Sequence, residues 1–262
     1  MVHSFSRKIQ RPFLSLSVFS CIAVSPLTYA QQPPKGSEVI DKVEQRKLPK
    51  NSRAEVTLTI QKDGSQVDKT FKIASLREND EETYSLIEFI KPTTTKILVH
   101  ARKKGEDDRW IKTSSSQPKR VSSSADDQSF SQSHFDYADL QFAKGSDFEH
   151  TLLCEPKCEY DHAGAPHYKV KSVPKKSGKY AYTINYIRIS DYFPTKIEYF
   201  SKDNKPQKEI VAEEFKDIKG YLTPMKITAR MVGTPHFSVM TLTKMDVDTG
   251  DIKKQMFDKN LL

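Results

Sequence analysis

The chain has 262 residues and a formal charge of +8, but three of its positive charges, Arg7, Lys8 and Arg11, fall in the first thirty residues, which hold no acid. Beyond them the charge is +5 (8 minus 3), too mild for a nucleic-acid footprint, and nine glycines supply no Gly-rich loop to cradle phosphates. The 232 residues that follow (262 minus 30) suit one large all-β domain, although length alone also accommodates two.

Residues 1–30 read as a cleavable signal peptide. The basic residues are followed by an apolar stretch from Pro12 to Tyr29, and "TYA" before "QQPPKG" places small-residue cleavage after Ala30. A retained anchor is the competing reading. Spanning a bilayer takes about 20 predominantly apolar residues, and this stretch is interrupted by Ser15, Ser17, Ser20, Ser25 and Pro26. Cys21 does not suit lipoprotein processing, because Phe19 stands where a small residue is needed. No later apolar stretch approaches spanning length, so the expected product is a soluble exported chain, residues 31–262, forming a single domain.

Helical spacing is confined to "GSEVIDKVEQRKL", with Ser37 as the expected N-cap. Strands follow at short intervals. "AEVTLTI" sets Val56, Leu58 and Ile60 against polar neighbours, "KDGS" supplies a turn, and "VDKTFKI" resumes the alternation with Val67, Phe71 and Ile73, broken once by Lys69. "YSLIEFIKP", "TKILVHA", "RWIKT", "YKVKSV", "YAYTINYIRI", "TKIEYF", "LTPMKITARMV" and "FSVMTLTKMDV" continue the pattern, with "KDNKP" and "DTGD" as turns. Ten or so strands without long helices predict a mainly antiparallel sheet, and no repeat of 20 to 50 residues marks a propeller or solenoid.

In "CEPKCEYDHAGAPH", Cys154 and Cys158 precede His162 and His167, which raises zinc as one reading. An exported chain favours a local disulfide, ahead of free thiols and zinc, because Pro156 can turn the three intervening residues back on themselves.

The segment "DDRWIKTSSSQPKRVSSSADDQSFSQSHFDYADL" carries the most specific pattern. It resembles the LolA-like family of outer-membrane lipoprotein-sorting proteins through Asp107, Asp108, Trp110, Pro118, Arg120, Phe130, Ser133, Phe135, Tyr137, Asp139 and Leu140. The resemblance extends over essentially the whole mature chain, including "LIEFIKPTTTKILVHARK", "YFPTKIEYFSKDNKPQKEI", "KGYLTPMKI" and the terminal "MFDKNLL". Departures fall at Gln132, His134, Ala138 and Thr95, where the family has Gly, Asp, Glu and a strand-opening Gly.

The resemblance implies an open, strongly curved antiparallel β half-barrel, with helical and loop segments forming a lid over an apolar cavity for acyl chains. The expected partners are lipoprotein or lipid acyl chains, with an inner-membrane transporter or an outer-membrane acceptor in prospect and no nucleic acid. Leu58, Ile60, Phe71, Ile73, Phe89 and Trp110 are candidate lining positions, although alternation leaves open which parity faces inward. In the lid motif, Phe130, Phe135, Tyr137 and Leu140 would pin the segment across the sheet, while Ser133, Asp136 and Asp139 cap its backbone. The same segment also fits a loop packed on the core without any ligand.

Catalysis, metals and cofactors are not expected. "SQPK" at Ser116–Lys119 matches Ser-x-x-Lys, but it sits in a serine-rich loop and lacks the partner motifs. His134, Asp136 and Asp139 have ligand chemistry without a second histidine nearby. The basic run at Arg102–Lys104 is offset by Glu106, Asp107 and Asp108, so it reads as a guarded strand edge or as a contact for anionic headgroups or an acidic partner. Two functions in different classes remain: a lipid carrier, and an accessory module of an envelope lipid-transport or membrane-transporter complex.

Export is directly testable. In a Gram-negative cell the mature chain should begin near Gln31 and appear in the periplasmic fraction. N-terminal sequencing that finds Met1 intact in membrane pellets contradicts it.

Overall fold

The computed structural model describes residues 32–79, 81–102, 105–121, 127–140, 144–155 and 157–262, and the expected signal peptide lies outside them. Residues 33–262 form one compact unit. Its described residues form helix α1 (Gly36–Glu44), fourteen strands and several short 3-10 turns.

The strands are β1 (Asn51–Lys62), β2 (Ser65–Arg77), β3 (Glu82–Lys91), β4 (Thr95–Arg102), β5 (Asp108–Thr113), β6 (Lys119–Val121), β7 (Phe148–Leu152), β8 (Glu159–His162), β9 (Ala165–Pro174), β10 (Tyr182–Arg188), β11 (Pro194–Phe200), β12 (Pro206–Ile218), β13 (Tyr221–Met231) and β14 (Phe237–Val247). All pairings are antiparallel, in the order β6-β5-β4-β3-β2-β1-β14-β13-β12-β11-β10-β9-β7, with β8 also on β9. The sheet is open.

This topology has a mechanical consequence. The chain leaves the sheet at edge strand β6 and re-enters at the opposite edge on β7, so the connection between Val121 and Phe148 must cross from one edge to the other. Of the described parts of that crossing, residues 127–140 lie over one face, which we term the inner face.

Cross-strand register assigns the faces. Leu58 pairs with Met240, Phe71 with Val56 and Phe89, and Ile97 with Ile87 and Ile111, so these side chains share the inner face. They join Ile60, Val99, Ile210, Ala229, Phe130 and Phe135 in one buried cluster. That β2–β4 and β12–β13 meet in one cluster, with β1 and β14 between them, requires the sheet to curl around the crossing segment.

A different cover protects part of the outer face. Leu76, Tyr84 and Leu98 pack there against Ile252, Phe257 and Leu262 of the C-terminal tail, with Trp110 alongside. His100 Nε2 lies 2.8 Å from the Phe257 carbonyl and Lys112 donates to that of Leu262, which fixes the tail's path.

Helix α1 starts one residue before the expected Ser37 cap. Lys35 precedes it, and the Glu38 carboxylate accepts the Lys35 amide at 2.9 Å. Gly36 is pressed so closely on β7 that a β carbon would stand 2.7 Å from the Leu152 nitrogen, and this contact sets the boundary. Val39 of α1 then packs on Val170 and Ile187.

Candidate functional site

The segment Ser129–Leu140 is built from two 3-10 turns, Phe130–Gln132 and Tyr137–Leu140, tied by an isolated bridge between Ser129 and Asp136. Its backbone closes on itself: the Phe130 amide donates to the Phe135 carbonyl at 2.7 Å, and the Tyr137 amide to that of Gln128 at 3.0 Å. The Ser133 hydroxyl donates to the Phe130 carbonyl at 2.7 Å and accepts the Phe135 amide at 3.2 Å. Ser131 and Gln132 have φ of 53° and 64°, the left-handed region in which a side chain costs about 1–2 kcal/mol. Glycine would suit that backbone better than Gln132, which the rest of the segment has to hold in it.

This small fold drives aromatic side chains into the sheet. Phe130 is fully buried, with ring centroids 5.8 Å from Phe71, 5.6 Å from Phe89 and 5.5 Å from Tyr137, and Phe135 is 2% exposed. Burying each phenylalanine contributes about 1.5–3 kcal/mol. Arg109 Cζ stands 4.8 Å from the Tyr137 ring centre.

A buried polar cluster fastens the same segment to the other half of the sheet. Lys208 of β12 is 1% exposed, and its ammonium lies 2.6 Å from Asp136 Oδ2 and 2.6 Å from Asp139 Oδ2. Lys179 reaches Asp136 at 2.8 Å, the Tyr180 hydroxyl donates to Asp136 at 3.1 Å, and the Tyr199 hydroxyl to Asp139 at 2.7 Å. Burial, reinforced by these carboxylates, pushes both tyrosine pKa values upward, so both remain phenols that donate.

Two further contacts complete the attachment. Lys69, the residue that broke the alternation of β2, occupies an inner-face position and donates to the Ser131 carbonyl at 2.6 Å. His134 meets the fully buried Ser238: its backbone amide donates to Ser238 Oγ at 3.1 Å, and its Nδ1 lies 2.8 Å from the same oxygen. The Ser238 oxygen thus holds both the backbone and the ring of His134.

The structure brings five of the six lining candidates together. Leu58, Ile60, Phe71 and Phe89 are buried on the inner face, and Ile73 packs beside them. Trp110 is on the opposite parity of β5, so it packs under the C-terminal tail instead. The chain's own Phe130 and Phe135 cover the five. Clefts of about 480 and 390 Å³ lie elsewhere, around Asn51, Arg77 and Tyr221 and around Lys35, Gly36 and His150.

Among the lid residues, Phe130, Phe135 and Tyr137 point into the core, while Leu140 is 36% exposed at the segment's end. Ser133 and Asp139 bond the segment's own backbone, the latter accepting the Asp136 amide at 2.6 Å. Asp136 differs from expectation: both its oxygens are taken by Lys208, Lys179 and Tyr180 rather than by a backbone amide. Asp108 and Arg120, matched separately to the family pattern, meet across β5 and β6, with Arg102 on the second oxygen at 2.6 Å.

Cys154 and Cys158 are bonded to each other across a local loop. His167 is buried, with Nδ1 2.8 Å from the Ala165 carbonyl and Nε2 2.8 Å from the Thr195 hydroxyl, so hydrogen bonds within the protein occupy both ring nitrogens. Lys208 was the part of the site that sequence reasoning missed; Asp136 and Asp139 were expected only as backbone caps. The signal was a lysine at an inward position of a strand.

Comparison with known proteins places this geometry. Residues 81–262 match the model of a family described as "Uncharacterized protein". No curated protein matches the chain. A DUF1329 family protein from Desulfovibrio piger superposes with a TM-score of 0.78 at 22% identity, over 87% of this chain and 97% of that one. A putative outer membrane lipoprotein-sorting protein domain from Vibrio parahaemolyticus gives 0.79 at 19% identity, over 86% and 97%. A LolA superfamily protein from Nitrosomonas europaea gives 0.66 at 20% identity, over 88% and 100%. The fold is therefore LolA-like.

The buried cluster makes a strong prediction. Lys208→Met leaves two carboxylates short of their shared cation and should cost about 3–5 kcal/mol in urea unfolding, with part recovered when Asp139→Asn is added. Loss below about 1 kcal/mol would show that the cluster does not hold the segment.

Burial, with His236, Lys62 and Lys208 nearby, lowers the His134 pKa below the ordinary 6.5. The unfolded chain therefore binds a proton first on acidification. The stability contributed by neutral His134 is complete above pH 6.5 and declines as pH falls from there toward the lowered value. His162 shifts in the same direction, so the comparison must be with His134→Asn, which retains an acceptor for Ser238 and should lose less stability between pH 7.5 and 5.5.

Proposed function

We propose that this chain, which belongs to the family whose model spans residues 81–262 and has the LolA-like fold, is an exported carrier that binds lipoprotein or lipid acyl chains on its inner face and performs no chemistry. One observation carries the reading. The apolar centre of the inner face is covered by a segment outside the sheet, attached by side-chain contacts and not by a strand ladder. Such a segment can part from the sheet while the ladder stays intact.

Magnitudes support an exchange. Exposing Phe130 and Phe135 forfeits about 3–6 kcal/mol, which about four to eight methylenes at ~0.8 kcal/mol each would offset. An ordinary acyl chain exceeds that length, and the surplus goes toward opening the polar attachments. Loading and release then stay close to balance, as a carrier needs. An inner-membrane transporter on the loading side and an outer-membrane acceptor on the other are the partners this role implies.

A second reading rests on the same packing. With Phe130 and Phe135 already filling the inner face, the fold is complete without a ligand and would serve as an accessory module of an envelope transport complex.

Acyl-probe binding separates the two. A carrier should bind a fluorescent fatty acid saturably and release it to competing phospholipid. Phe130→Ala should raise affinity by vacating space, and Leu58→Glu should lower it while the circular dichroism spectrum is retained. A folded wild-type chain that binds no acyl ligand leaves the accessory module.

A further inference from the structure

The two ends of the sheet differ in charge and in apolar exposure. Strand directions place the β1–β2, β3–β4, β5–β6, β11–β12 and β13–β14 turns, together with the β9–β10 connection, at one end. Exposed Lys62, Lys91, Lys119, Lys176, Lys202 and Lys205 sit at or beside these tips, and none makes an ion pair among the described residues. The acids described there are fewer: Asp63, which faces His236 at 3.1 Å, Asp68, Asp127, Asp147 and Asp203. At the opposite end the acids meet basic partners: Asp191 pairs with Arg188 at 2.7 Å, Asp251 with Arg53 at 2.7 Å and Glu78 with Lys254 at 3.5 Å.

Apolar exposure follows the same polarity. Val67 is 47% exposed, Ile90 46% and Val232 44%, and all three lie at the lysine-bearing end. Exposed valine and isoleucine between unpaired lysines gain nothing from water. An acidic protein would satisfy the lysines, but it would also have to match apolar tips dispersed over several separate hairpins. A bilayer surface presents anionic headgroups with hydrocarbon just beneath, so it answers both features without requiring a shaped counterpart.

We propose that this end of the sheet docks on a membrane surface bearing anionic phospholipid. Lysines contact the headgroups, and Val67, Ile90 and Val232 enter the interface. The covering segment is anchored toward the same end, through Lys179 in the β9–β10 connection and through Ser238 beside the β13–β14 turn, so docking brings its attachments to the lipid. The docking itself is independent of whether the inner face takes an acyl chain.

The test is co-sedimentation of residues 31–262 with vesicles of phosphatidylcholine alone or mixed in equal parts with phosphatidylglycerol. Binding is expected only to the mixed vesicles and should fall with added salt. Lys62→Gln with Lys202→Gln should weaken it by roughly 25-fold, about fivefold per lysine, while Lys47→Gln with Lys50→Gln at the other end leaves it unchanged. Ile90→Ser with Val232→Ser should also weaken it, by a loss that persists in salt. Acyl-probe binding should be unaltered by the Lys62 and Lys202 changes, which separates failure of docking from failure of the carrier reading. The proposal is overturned if the folded chain ignores the mixed vesicles, binds both kinds alike, loses equal affinity with either lysine pair, or is captured only by an acidic protein.

Discussion

An ammonium withdrawn from water is tolerated only where carboxylates replace its hydration, and Lys208 meets that condition only while Asp136 and Asp139 lie over β12. The dependence is mutual, because the same two carboxylates would be buried without a cation if the segment packed elsewhere. Hydrophobic contact alone would allow Phe130 and Phe135 to settle at several places on an apolar sheet. The charge cluster selects one of them.

That selection determines the rest of the inner face. With the segment fixed, Phe130 stands over Phe71 and Phe89, Lys69 finds the Ser131 carbonyl, and His134 meets Ser238. These contacts come from β2, β3 and β14, with Lys208 of β12 beyond them. The open sheet is thereby bridged across its inner face by a piece of chain that contributes no long strand. A cover of this kind is strong in sum and separable in parts, since no single polar contact in it belongs to the sheet's own ladder.

The outer face follows a different logic. The C-terminal tail seals β2–β5 through Phe257, Ile252 and Leu262, which leaves the Lys208 half of the sheet with its outer side uncovered by that tail. Distinct covers on opposite faces explain why the apolar residues of one strand serve two clusters, as Ile97 and Leu98 of β4 do. They also leave the strand ends free to carry the lysines and exposed apolar tips.

The alternation of Val56, Leu58 and Ile60, the turn at Asp63–Gly64 and the aromatic strands determined locally that this chain forms antiparallel hairpins, because period-two burial and left-handed turn residues act within a few residues of one another. The lid motif was legible as a pattern from Phe130 to Leu140, and its aromatic residues went where the pattern implied. β12 was harder to read, because Lys208 stands at an inward position where a sequence suggests an outward one. β7 and β8 are too short for their periodicity to declare them. Only the tertiary structure decided which parity of each strand faces the segment, why Trp110 parts from Leu58 and Phe71, and that Asp136 serves Lys208 instead of a backbone amide. Those outcomes depend on residues brought together from opposite halves of the chain, and no local spacing encodes the meeting of Asp136 with a lysine 72 positions away.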